Sequence, residues 1–121
     1  MRDRTPDLEV ELRFLPTDEG GRMGPVVSGY RPDHDFGLLG SLVCAAHEYI
    51  GADSVSPGES VRAHLHLANP QFLMARLHEG LQFTVQEGAR IVALGTVESV
   101  LNPMLKEPPN HSFQRTAFGG R

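Results

Sequence analysis

His64 and His66 stand two residues apart in VRAHLHL. On a strand both imidazoles leave on one face, where a third donor can complete a transition-metal site. The plainer reading is two solvated histidines on an outer strand face. No second motif fixes further ligands, because His34, Asp35, His47, Glu48 and His78 lie elsewhere in the chain. Cys44 with His47 is the other arrangement that could do chemistry. Three residues apart, the pair meets on a helix but points to opposite faces of a strand, so a small buried thiol is the expectation. There is no G-x-S-x-G elbow and no paired-carboxylate pattern. A phosphate cradle needs G-x-x-x-x-G-K-S/T, and the only lysine, Lys106, precedes Glu-Pro-Pro. GTP hydrolysis is excluded, no cofactor is expected, and the pattern points away from an enzyme.

The elements that would position these groups read as β-structure. Leu8, Val10, Leu12 and Phe14 alternate with Glu9, Glu11 and Arg13, the period of a half-buried strand, which Pro16 stops. TDEGGRMGP is loop chemistry, and Val26, Val27 and Tyr30 suggest a short strand ending at Arg31-Pro32. Residues 33–41 read as a loop. Residues 42–50, bounded by Gly40 and Gly51, suit a strand, and Pro57-Gly58 marks a turn. From Glu59 to Ala68 the alternation predicts a strand with Val61, Ala63, Leu65 and Leu67 inward and Arg62, His64 and His66 outward. Residues 71–78 read as irregular. Leu81, Phe83 and Val85 alternate again, and residues 87–90 turn the chain into a hairpin with residues 91–101. Residues 1–7 read as a loose lead-in and residues 102–121, with three prolines, as a poorly ordered tail.

Composition narrows the function. One domain is the natural count for 121 residues. Thirteen glycines and nine prolines suit short strands joined by turns. With no Trp, six Phe and two Tyr, the core should be mostly Val, Leu, Ile and Ala. A net charge of −4 argues against autonomous binding of naked nucleic acid, whose phosphates demand a basic excess. One cysteine permits no internal disulfide, the start carries no secretory leader, and no apolar run reaches the roughly 20 residues of a membrane span. A cytoplasmic protein is the expectation.

Six short motifs occur in a telling order: Glu19-Gly20-Gly21-Arg22, Gly29-Tyr30-Arg31-Pro32, Pro57-Gly58-Glu59, Gly80-Leu81-Gln82-Phe83, Glu87-Gly88-Ala89-Arg90 and Gly95-Thr96-Val97. In that order and at those spacings the chain resembles the C-terminal β-barrel, domain 3, of bacterial elongation factor Tu, over roughly residues 7–101. The resemblance implies an all-β fold, a single closed six-stranded antiparallel β-barrel, standing here without the GTPase domain that normally carries it. Three departures stand out. Asp33-His34-Asp35-Phe36 replaces the family's Gln-Phe, Gln86 replaces an arginine, and Ala89 replaces a glycine. In the family this domain packs on the GTPase domain and touches the T-arm side of aminoacyl-tRNA.

The resemblance implies a non-catalytic binding module and translation-factor mimic. Its expected partner is a protein that recognises the elongation factor barrel, with tRNA or other RNA as the alternative. Glu19, Arg22, Tyr30, Arg31 and Arg90 are the candidate partner-binding residues, Arg and Tyr being frequent interface anchors. A homodimer is a further option for faces that once met a GTPase domain. The ending SFQRTAFGGR resembles tails seen where a reading frame runs into the recombination site of an integron gene cassette.

Overall fold

Residues 5–38 and 40–108 are described by the structure, a computed structural model. Its strands are β1 (Leu8–Phe14), β2 (Asp33–Asp35), β3 (Val43–Ile50), β4 (Ser60–Leu67), β5 (Gln82–Glu87) and β6 (Arg90–Val100). They close into one antiparallel barrel in the order β1-β4-β3-β2-β5-β6, with β6 returning to β1. Closure removes the sheet edges that would otherwise template association. The helical pieces among the described residues are three 3-10 turns, Thr17–Glu19, Pro70–Leu73 and Pro103–Leu105. The all-β expectation holds. None of the described helices is long and apolar enough to cross a membrane.

β1 behaves as its alternation requires. Leu8, Val10, Leu12 and Phe14 are buried while Glu11 and Arg13 face out. It pairs on both sides, so Leu12 stands opposite Val61 of β4 and Gly95 of β6. Gly95 is there by necessity: a Cβ on it would land inside the Phe83 ring, which fills the space the glycine leaves.

Several expectations need correction. The short strand lies at Asp33–Asp35 rather than Val26–Tyr30, and Val26 keeps only an isolated bridge to Val55. DHD escapes a search for apolar alternation because its inward residue is His34, fully buried. The core is mostly Leu, Val and Ala as expected, but isoleucine takes no part in it: Ile50 and Ile91 are exposed, while Phe14, Phe36, Tyr49 and Phe83 are buried. Residues 102–108 are part of the packed structure. Leu105 is buried beside Leu73 and Leu77, and Leu77 bridges Lys106 in parallel. Their scattered apolar residues read as tail because one leucine at a turn has no periodicity, yet Leu105 belongs to the buried core. Residues 109–121, with the cassette-like ending, lie outside the described residues. Of the expected lead-in, residues 1–4 lie outside the described residues. Asp7 is buried and accepts from the Leu67 amide at 2.8 Å and Asn102 Nδ2 at 2.8 Å.

Candidate functional site

Three of the six motifs meet at one end of the barrel. The loop after β1 folds back on itself, with Gly21 N–H donating to Pro16 O at 2.9 Å and Thr17 Oγ1 to Arg22 O at 2.6 Å. Gly21 has no room for a Cβ, which would strike the Leu15 carbonyl. The Gly29–Pro32 segment runs beside β3, where the His47 amide donates to Tyr30 O and the Gly29 amide to His47 O, each at 2.8 Å. The β5–β6 hairpin turn, with Glu87 paired to Arg90, comes alongside.

Glu87 fastens the three together. Its Oε2 accepts from Arg22 Nε at 2.7 Å and from the Tyr30 hydroxyl. The Arg22 guanidinium lies 5.3 Å from the Tyr30 ring centroid, and its Nη1 donates to Gly24 O at 2.8 Å. Burial, reinforced by the Glu87 hydrogen bond, pushes the Tyr30 hydroxyl pKa upward, so it stays a donor. Arg22 and Tyr30 are thus occupied within the chain. Glu19, Arg31 and Arg90 remain exposed at the same end, joined by Met23 and Val27.

Behind Tyr30 the barrel interior is polar. The Tyr30 ring meets His47 edge-on at 5.4 Å between centroids. His47 Nε2 lies 2.8 Å from His34 Nε2, His34 Nδ1 lies 3.1 Å from Val43 O, and His47 Nδ1 lies 2.9 Å from the Tyr49 hydroxyl. A carbonyl can only accept, which sets every proton in the chain. His34 donates from Nδ1, His47 donates from Nε2 to the bare His34 Nε2, and Tyr49 donates to His47 Nδ1. Burial holds the His34 pKa down at about 4 and pushes His47 well below its ordinary value, the neighbouring ring adding to the effect on His47. Burial also raises the Tyr49 hydroxyl.

Apolar periodicity alone does not reveal this network. Residues 33–41 read as a loop, and the Ala45, His47, Tyr49 set mixes apolar and polar residues on the inward face of β3. The available signal was the period-two spacing of His47 and Tyr49, with exposed Glu48 between them. It also disposes of the thiol–imidazole reading. Cys44 and His47 point to opposite faces, both His47 nitrogens are engaged, and Cys44 Sγ stands 4.0 Å from Arg31 O. Cys44 is half-buried rather than buried.

His64 and His66 do share the outer face of β4, but His66 is not solvated: it is 5% exposed. A ladder of charge crosses β1, β4 and β3 there. Arg62 Nε lies 3.6 Å from Glu9, His64 Nε2 lies 3.4 Å from Glu9, and His66 Nε2 lies 3.0 Å from Glu48. The His64 Nδ1 to Glu48 distance is 3.9 Å, and among the described residues no three His, Cys, Asp or Glu side chains are set to hold a metal. An open groove of about 490 Å³ crosses the outer wall over β1, β5 and β6, edged by Glu11, Arg13 and Asp35 with Leu94 exposed in it. No family model matches the chain.

Proposed function

We propose that this chain is a non-catalytic binding module that presents an elongation factor Tu domain 3-like barrel end to a protein partner. The observation that carries the reading is the convergence of three glycine motifs on Glu87, leaving Glu19, Arg31 and Arg90 outward beside exposed Met23 and Val27. Arginine and methionine are enriched in interface cores, and a loop end fastened in advance loses little entropy on docking. Arg22 and Tyr30, engaged with Glu87 and with each other, hold that end in shape and are not themselves the contacts. The partner is a protein that recognises the elongation factor barrel, the factor's own GTPase domain being the first to try. A net charge of −4 with one lysine supports protein over RNA.

The test is calorimetric titration of this chain against the isolated GTPase domain and, separately, aminoacyl-tRNA. The expected result is a complex with the GTPase domain at about 1–10 μM that the double variant R31A/R90A weakens roughly tenfold or more. Absence of binding to the GTPase domain up to about 100 μM, together with a strongly salt-dependent tRNA complex, would replace this reading with the RNA one. Light scattering at high concentration decides the homodimer option, a monomeric mass removing it.

A further inference from the structure

β2 is the shortest strand of the barrel, and its register with β3 covers two residue pairs, Asp33 with Cys44 and His34 with Val43. Three backbone hydrogen bonds extend the seam above it: Ala45 N–H to Pro32 O at 3.3 Å, and the reciprocal pair between His47 and the residues Gly29 and Tyr30. Inside the barrel the same seam is crossed by the His34–His47 contact and by the His34 hydrogen bond to Val43 O. Side chains therefore close a joint that the ladder alone closes sparsely.

The joint works with one charge state. With both rings neutral, every nitrogen has a complementary neighbour. The bare nitrogens are His34 Nε2 and His47 Nδ1, and each already accepts. A proton on His34 Nε2 faces the His47 Nε2–H head-on unless His47 exchanges tautomer and Tyr49 gives up its donor role. A proton on His47 Nδ1 makes Tyr49 turn its own proton away. Either way a cation sits in the interior with no carboxylate hydrogen-bonded to it among the described residues.

The surroundings do not compensate. Phe36 and Phe83 pack on His34. Tyr30 and Tyr49 pack on His47, and Leu65 of β4 and Val85 of β5 stand opposite the two histidines. Asp33 favours the charged form of His34 through space but is outweighed by desolvation. Glu87, the carboxylate behind Tyr30, is already shared by Arg22 and the Tyr30 hydroxyl. β1 and β6 line the interior with Leu8, Val10, Leu12, Ala93 and Val97, which cannot titrate.

We propose that the His34–His47 pair is an acid-sensitive clasp, and that its protonation parts β2 from β3 and opens the barrel at that seam before the β1–β6 joint yields. The clasp rests on the interior network alone and stands whether or not the partner-binding reading does.

Amide exchange followed by NMR on the full chain, expressed as protection factors so that the chemical pH dependence cancels, reads the seam directly. Between pH 7 and pH 5 the Gly29, Ala45 and His47 amides should lose protection by roughly 20-fold, the proton uptake of one ring going from a pKa of about 4 when folded to 6.5 when released. The Leu15 amide, bonded to Val92 O across β1–β6, should change far less. The variant H34Q/H47Q, which cannot titrate, should abolish the selective loss. Ring nitrogen shifts of the unaltered protein give a readout that needs no variant to fold. If both rings titrate in the intact barrel with the seam amides still protected, or if all amides lose protection together, the clasp is overturned.

Discussion

On one side of the barrel, β1, β4 and β6 turn leucine, valine and alanine inward, with Gly95 admitting the Phe83 ring. On the other side, β2 and β3 turn in His34, His47 and Tyr49. The first wall is held by removal of apolar area from water, which has no preferred direction and no dependence on protonation. The second is held by a file of hydrogen bonds in which each proton has one permitted place. Its contribution is conditional, because buried polar groups stabilise only while every partner is present. Two walls of one sheet therefore differ in what destroys them. Volume changes attack the first and protons attack the second.

The largest expected effect breaks the aliphatic wall. Gly95→Ala drives a methyl into the Phe83 ring, which is enclosed by His34 and Phe36 and has little freedom to retreat. A loss of about 3 kcal/mol in chemical denaturation is expected, equal at pH 7 and pH 5. Unaltered stability would mean that Phe83 has another place to go.

Acid should break the other wall by a similar amount. Both histidine shifts are downward, so the unfolded chain binds more protons than the barrel. Stability is then full above about pH 6.5 and falls as the pH drops toward about 4. His34 alone corresponds to about 3 kcal/mol over that window. Denaturant midpoints measured from pH 7 to pH 4 check it, and H34Q/H47Q should flatten the upper part of the curve. A curve that only begins to fall near pH 4 would assign acid sensitivity to carboxylates.

Two smaller changes sharpen the contrast. Tyr49→Phe keeps the ring that packs edge-on against Phe14 but removes the donor to His47 Nδ1, costing about 1–2 kcal/mol at pH 7. Because the freed Nδ1 then accepts a proton more easily in the folded barrel, the gap from the unfolded chain narrows, and the loss of stability between about pH 6.5 and pH 4 should be smaller than in the unaltered protein. Glu87→Gln lies outside the polar wall and weakens the Arg22 and Tyr30 fastening. Arg22 and Glu87 are both partly exposed, so the expected cost is under about 1 kcal/mol with little pH dependence between 5 and 7. A thermal melt of this variant that falls as far as that of Gly95→Ala would show that the loop end, not the barrel wall, limits stability.

The sequence determined the strands whose faces differ in polarity. Residues 8–14, 60–67 and 82–87 alternate strongly enough that one register alone buries their apolar sets. The motif order placed the candidate loops along the chain but not against one another. Glu87, absent from the candidate residues, became the hub because Arg22 and Tyr30, distant in sequence, reach it in space. His66 faces outward as its alternation requires but is buried there, with Glu48 of β3 lying 3.0 Å away across the sheet. Only the tertiary structure could decide that Asp33–Asp35 is a strand. Three polar-flanked residues carry no periodic signal, and their pairing gains from closing a barrel whose other five strands are already fixed. The histidine file follows the same rule. A residue's own sequence neighbours state whether it can alternate, while the charge state of His34 and His47 follows from burial inside the closed barrel, where the two rings meet.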